Sequence, residues 1–224
     1  MRLITYSNIG AREKNEDRFA HLELPNGDQL FIVADGMGGY DAGEEAAECA
    51  IEAIGTSLLE TPDNIPLAVE CANRAIAEKR INMGVSEMGC TLAAVILHQG
   101  TATMFWAGDS RVYIIRNDRI VFETEDHSLI NEMRRIKRLT PAQIRKYEHI
   151  VRRSLMGNST DDVEVVEQPV LPGDEILICS DGFHKEIPLP LLLEKLRKEE
   201  IFHIDNEKFI DNHTLIYFKI DNEE

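Results

Sequence analysis

Basic residues are scarce in this chain of 224 residues. Lys and Arg number 24 against 40 Asp and Glu, a formal charge of −16 at neutral pH. Such an excess of anions argues against nucleic-acid binding, because a phosphate backbone needs Lys or Arg to neutralise it. It argues equally against docking on an anionic membrane face. Cysteine is sparse as well: Cys49, Cys71, Cys90 and Cys179 are far apart and form no CxxC pair. That spacing disfavours a zinc site or a thioredoxin-type centre and predicts reduced thiols. No apolar run approaches the ~18–20 residues that span a bilayer. The opening residues, MRLITYSNIG, lack a basic segment followed by an apolar one. No signal peptide is therefore expected, and the predicted location is cytoplasmic. Repeats, low-complexity tracts and linkers rich in Pro, Gly or Ser are also missing, so residues 1–224 are expected to form a single domain.

What is present is an ordinary apolar content, 43 %, sufficient for a core. Residues 19–24 and 29–34 are short apolar runs separated by Pro25-Asn26-Gly27-Asp28, a hairpin signal. Residues 42–59 and 66–81 carry apolar side chains at helical spacing. Segments 91–97, 101–107, 111–116 and 119–123 are rich in β-branched and aromatic residues with short polar turns, which predicts an antiparallel meander. Residues 129–152 turn basic and helical, with Thr140-Pro141 starting a second short helix. Further strands are predicted at 164–170, 175–179 and 214–220, and a helix at 188–198. Strands and helices do not alternate regularly, which favours an α+β fold over a doubly wound parallel sheet. Trp106 alternates within a strand and reads as core, and Cys49 and Cys71 read as buried small hydrophobes on helix faces.

Four aspartates share one local pattern. Asp35, Asp109 and Asp181 each end an apolar strand, and Asp211 stands just before one. Taken singly, each is a common turn residue. Gathered at one end of a sheet they would repel, and a hard cation such as Mg²⁺ or Mn²⁺ would be needed to hold them together. Gly36-Met37-Gly38-Gly39 lacks the Gly-Lys-Ser/Thr of a P-loop and reads as a loop needing positive φ angles.

Seven motifs then occur in order: Ser7-x-x-Gly10-x-Arg12-x-x-Asn15-Glu16-Asp17, Val33-Ala34-Asp35-Gly36-Met37-Gly38-Gly39, Gly89-Cys90-Thr91, Gly108-Asp109-Ser110-Arg111, Asp126-His127-Ser128, Ser180-Asp181-Gly182 and Asp211-Asn212-x-Thr214. Each is weak alone. Together, over residues 7–214, they resemble the metal-dependent protein phosphatases of type 2C in their bacterial form. The resemblance implies a four-layer α+β sandwich, two antiparallel β-sheets flanked by helices. It also implies hydrolysis of phosphoserine and phosphothreonine in proteins by a water bridging two divalent ions, Mn²⁺ or Mg²⁺, with a third possible. Phosphorylated proteins are the implied partners, and reversal of a Ser/Thr kinase the implied role.

The same resemblance assigns residues. Asp35 would bridge both ions, the Gly36 carbonyl and Glu16 would serve the second, and Asp181 and Asp211 would complete the first. Asp109, together with Asp181, would hold a third, weaker ion. Asp17 and Asn212 would orient ligands from behind. Arg12 would grip the phosphate, since a guanidinium suits bidentate recognition and stays charged. Thr91 would pack near the site. Two rival readings remain: a non-catalytic phosphoprotein-binding module, which loss of Asp35, Asp181 or Asp211 would signal, and a phosphatase for small phosphomonoesters.

Three departures from the family pattern stand out. Met37 follows the first Asp-Gly where eukaryotic members carry a His, so the general acid is unassigned; His127 and His184 are candidates but are expected to be structural. Residues 128–153, where the family places a flap, hold Arg134, Arg135, Lys137, Arg138, Arg145, Lys146, Arg152 and Arg153. They read either as a patch steering acidic or phosphorylated proteins or as a solvated helix pair. Finally, only 29 residues separate Asp181 from Asp211, so a helix there is expected to be shortened or lost.

Overall fold

A computed structural model describes residues 2–37 and 42–221, apart from the side chain of Glu207. Gly38 and Gly39 of the glycine-rich motif therefore lie outside the described residues. In chain order the strands are β1 (Arg2–Asn8), β2 (Asp17–Glu23), β3 (Gln29–Met37), β4 (Gly89–Cys90), β5 (Leu92–His98), β6 (Thr101–Ala107), β7 (Arg111–Arg116), β8 (Arg119–Glu123), β9 (Glu164–Pro169), β10 (Glu175–Cys179) and β11 (His213–Lys219). The helices are α1 (Ala42–Glu60), α2 (Ile65–Met83), α3 (Leu129–Ile136), α4 (Pro141–Tyr147), α5 (Asp181–His184) and α6 (Leu189–Arg197).

The strands form two antiparallel sheets, ordered β1-β11-β10-β7-β8 and β2-β3-β5-β6-β9, with β4 continuing the ladder at the end of β3. Period-2 alternation sorts β3 between two cores. Phe31 and Val33 face the opposing sheet, where Phe31 stacks on Phe218 with ring centroids 4.1 Å apart. Leu30, Ile32 and Ala34 face the other way, onto the apolar stripes of α1 and α2. The first sheet behaves alike: Ile176 and Ile178 point inward, while Leu177 and Cys179 meet Leu192, Leu193 and Leu196 of α6. Strands buried on both faces thus build the predicted layering of helix, sheet, sheet, helix.

Local signals worked where a turn residue dictated geometry. Gly27 adopts φ +88° in the first hairpin, and Asn117 and Asp118 take φ +50° and +61° between β7 and β8, as a primed two-residue turn requires. Thr140 caps α4 through a reciprocal box with Gln143. Trp106 is buried as expected and donates from Nε1 to the Glu125 carbonyl.

Other expectations need correction. The sequence pattern of residues 2–8 carries no strand signal, yet β1 pairs with β11 along its whole length. Asp35 does not end its strand: β3 runs on through Asp35 and Gly36 to Met37, because β4 supplies a further antiparallel partner. Cys49 and Cys71 are only half-buried, flanking rather than joining the helix stripes, whereas Cys90 and Cys179 are fully buried. The compressed interval before Asp211 holds α5 of four residues, α6 of nine and two short 3₁₀ turns.

Candidate functional site

A cavity of about 730 Å³ opens where strand ends of both sheets meet. Arg12, Glu16, Asp35, Gly36, Asp109, Asp181, Asp211 and Asn212 all line it, beside Thr91. Asp17, the remaining predicted residue, is buried opposite Asp35 across the β2–β3 ladder. Residues as distant in sequence as 12 and 211 are therefore brought to one place, and Arg12 donates to Asp211 Oδ2 at 2.7 Å.

Close backbone approach sets these positions. Gly36 does not use a positive φ, contrary to expectation; the constraint is space. A Cβ there would stand 2.2 Å from the Gly43 carbonyl oxygen and 2.8 Å from that of Glu16. Gly182, just after Asp181, lies against the Asn212 carbonyl, which a Cβ would meet at 2.0 Å. The glycine thus lets the start of α5 touch the start of β11, and so brings Asp181 towards Asp211.

Asn212 ties down the loop that carries Arg12 and Glu16. Its side-chain amide donates to the carbonyls of Ile9 (2.9 Å) and Lys14 (2.8 Å) and accepts from the Glu16 N–H (2.9 Å). Ser180 Oγ accepts from the Thr214 N–H (2.9 Å) and donates to Asp17 Oδ2 (2.7 Å), so one hydroxyl joins β10, β11 and β2. On the other side, Thr91 N–H donates to the Asp35 carbonyl at 2.8 Å, and the Thr91 and Ser110 hydroxyls share a hydrogen bond of 2.7 Å.

The electrostatics are those of crowded carboxylates. Burial, then the charges of Asp17, Asp181, Asp109 and Asp211, push the Asp35 carboxyl well above the usual range. Burial also lifts Asp17 to about 7 against the Ser180 hydrogen bond, and raises Asp181 despite Lys185. Asp17 Oδ1 is buried without a hydrogen-bond partner, a costly arrangement for an anion.

An all-oxygen, anionic donor set of this kind fits hard divalent cations. Asp35, Asp181, Asp211, Glu16 and the Gly36 carbonyl are the oxygens there that would hold such ions. The set is not closed in advance: among the described residues, no three His, Cys, Asp or Glu side chains are gathered in a geometry able to hold a metal. Cationic side chains occupy part of the charge instead. Arg12 pairs with Asp211, and Lys185 Nζ donates to both Asp109 Oδ2 (2.8 Å) and Asp181 Oδ2 (2.6 Å). Lys185 thus takes the position between Asp109 and Asp181 that the resemblance implies for a third ion. Burial pulls the Lys185 pKa down, but Asp181 and Asp109 outweigh it and raise it.

Linkage turns this crowding into a measurable pH dependence. In the folded chain Asp17 holds its proton up to about pH 7, whereas an unfolded aspartate releases it near 3.9. Asp17 thus binds more protons folded than unfolded in that window, and its contribution to stability is lost as pH rises from about 4 through 7; His184, lowered to about 4, offsets part of this below about pH 6.5. Stripped of divalent cations, the protein should melt a few °C lower at pH 8 than at pH 5.5. Saturating Mn²⁺ should remove most of that difference. Thermal scans at the two pH values, with and without Mn²⁺, check this; a melting point that rises with pH in chelator would contradict it.

Neither His127 nor His184 is among the cavity's lining residues. His127 stacks on Trp106 with parallel rings and accepts from the Gly108 N–H, and His184 bonds the Asp109 carbonyl at 2.8 Å. Burial, ahead of the Arg111 charge, lowers the His184 pKa to about 4. Both read as structural. The basic segment forms α3 and α4, in which only Ile130 is buried. Its Arg135 and Arg152 pair with Glu125 and Glu132, while His149 and Val151 reach the cavity wall. Lys185, His149 and Val151 were missed from sequence. Only Lys185 had a local signal, one helical turn beyond Asp181.

Among the described residues, no helix is long and apolar enough to cross a membrane. The sequence profile described as protein phosphatase 2C matches residues 5–212. The serine/threonine phosphatase stp of Listeria innocua is 29 % identical over 211 residues, covering 89 % of this chain and 84 % of that protein. The solved S. agalactiae serine/threonine phosphatase superposes with a TM-score of 0.86 at 25 % identity, covering 98 % of this chain and 99 % of that one. The catalytic domain of the serine/threonine protein phosphatase PstP, solved in complex with 2 manganese ions, superposes with a TM-score of 0.79 at 24 % identity over 99 % of this chain and 98 % of that one, a likeness of fold. With a profile match across nearly its whole length and the same architecture, the chain belongs to the protein phosphatase 2C family.

Proposed function

We propose that residues 1–224 act as one catalytic domain that hydrolyses phosphoserine and phosphothreonine in proteins, dependent on Mn²⁺ or Mg²⁺, and that it reverses the action of a Ser/Thr kinase in the cytoplasm. The observation that carries this reading is the meeting of Arg12, Asp35, Asp181 and Asp211 in one cavity of a chain with the family's motifs in order. The naming of relatives as serine/threonine phosphatases supports the substrate class.

In this reading Asp35, Asp181 and Asp211, with Glu16 and the Gly36 carbonyl, would hold two divalent cations. When bound, such cations neutralise a phosphoryl group and make water a better nucleophile near neutral pH. The chain's own contributions are positional. Arg12, half-exposed at the rim, exchanges its Asp211 contact for phosphoryl oxygens, binding them as a planar fork. Asn212 keeps Arg12 and Glu16 in register through its three bonds to their loop. Asp17 and Ser180 brace Asp35 from behind. The exposed Arg and Lys side chains of α3 and α4 offer an acidic or phosphorylated protein a favourable approach in an otherwise anionic molecule.

The test is phosphate release from phosphothreonine and phosphotyrosine peptides and from a small aryl phosphate, each with Mn²⁺ and with chelator. The expected result is turnover of the phosphothreonine peptide that chelator abolishes and re-added Mn²⁺ restores, with little turnover of the phosphotyrosine peptide. Activity persisting in chelator would refute the metal-dependent reading. Hydrolysis of the aryl phosphate alone would favour a small-molecule phosphatase.

A further inference from the structure

Lys185 has no place in the functional reading above, yet its ammonium contacts two of the cavity's carboxylates. It follows α5 by one residue, a single turn after Asp181, and its ammonium lies 2.6 Å from Asp181 Oδ2 and 2.8 Å from Asp109 Oδ2. Those two carboxylates, 72 residues apart (181 − 109), stand just before β7 and just after β10, which pair as neighbours in one sheet. The Asp109 side chain is only 6 % exposed and that of Asp181 18 %, so the pair cannot rely on water alone for neutralisation. The neighbouring His184 grips the Asp109 backbone carbonyl at 2.8 Å. Two consecutive residues therefore hold Asp109 by both its main chain and its carboxylate.

We propose that the Lys185 ammonium is a built-in replacement for a third cation: it neutralises the Asp109–Asp181 pair and limits the cavity to two divalent ions. The proposal rests on the binuclear reading of the same cavity and deepens it. The physical ground is competition between a tethered and a free cation. Because Lys185 is joined to Asp181 by one turn of backbone, its ammonium is present at that spot at an effective concentration in the millimolar range or above. A divalent ion would have to displace it, leave a lysine head without its two acceptors, and find further oxygen ligands beyond the two carboxylates. Lys185 also lines the cavity, so the charge it contributes faces the space that a substrate would enter. Its positive charge there does not depend on metal supply.

The experiment is metal stoichiometry in the full chain, read by equilibrium dialysis with elemental analysis over a Mn²⁺ series. It compares the native protein, Lys185→Met, Lys185→Asp, and Lys185→Asp combined with Asp109→Asn. Circular dichroism and melting temperature verify folding, and Lys185→Met provides a neutral side chain of similar length should Lys185→Asp fail to fold. The native protein is expected to saturate at two Mn²⁺ per chain. Lys185→Asp is expected to take up a third at concentrations where the native protein shows none. The double variant should return to two, which places the third ion at Asp109. A native protein that binds three ions overturns the proposal. So do Lys185→Met and Lys185→Asp that both still bind two. A native protein that binds fewer than two overturns the binuclear reading itself and this proposal with it.

Discussion

Replacing Asp35 with asparagine is expected to lower turnover of a phosphothreonine peptide by about 10³-fold or more at saturating Mn²⁺. The side chain is half-buried, and the charges of Asp17, Asp181, Asp109 and Asp211 act on it. Asparagine keeps the shape and hydrogen-bonding capacity but removes the negative charge and one acceptor oxygen. If Asp35 bridges two cations, the substitution loosens both together. Metal-derived stabilisation of a phosphoryl transition state is worth several kcal/mol, and about 4 kcal/mol corresponds to roughly 10³ in rate. The same substitution relieves repulsion in the cation-free chain. Its melting temperature in chelator should therefore equal or exceed that of the native protein, while its gain on adding Mn²⁺ should shrink. Loss of activity together with a lower melting temperature in chelator would point to damage to β3 rather than to catalysis. Turnover within tenfold of native would exclude the bridging role.

Arg12→Ala carries the second largest expected effect, a fall in kcat/KM of about 10²-fold. A charge-assisted hydrogen bond contributes roughly 1.5–3 kcal/mol, and a guanidinium can make two in parallel. The contact with Asp211 is a half-exposed ion pair, with Arg12 at 56 % side-chain exposure and Asp211 at 35 %. Such a pair contributes little to stability, so the melting temperature should hardly change. Mn²⁺ should bind no more weakly, because Asp211 is released from its partner. Arg12→Lys should recover only a small part of the loss, since an ammonium keeps the charge and loses the planar fork. Steady-state kinetics and Mn²⁺ titration of the three proteins check this. Catalysis within threefold of native in Arg12→Ala would leave Arg12 as a surface partner of Asp211 and nothing more.

Much of the architecture was legible because its signals are local. The β-branched and aromatic runs of β5, β6 and β7, the Asn-Gly and Asn-Asp turns, the Thr140-Pro141 start of α4 and the apolar stripes of α1 and α2 are set by neighbours a few residues away. The strand β1 was missed because a short edge segment reads as strand only once β11 is present to pair with it. The course of β3 past Asp35 was missed for the same reason: β4, more than fifty residues later, completes the ladder.

The composition and ordered motifs by themselves determined an anionic α+β chain with Asp35, Asp181 and Asp211 beside strand ends, since residue type and periodicity are properties of short stretches. Only the tertiary structure decided that Lys185 sits between Asp109 and Asp181, that Arg12 meets Asp211, and that Gly36 and Gly182 are glycines for want of room. Those facts depend on distances between segments far apart in the chain. Burial and charge at such distances come into being only when the two sheets pack.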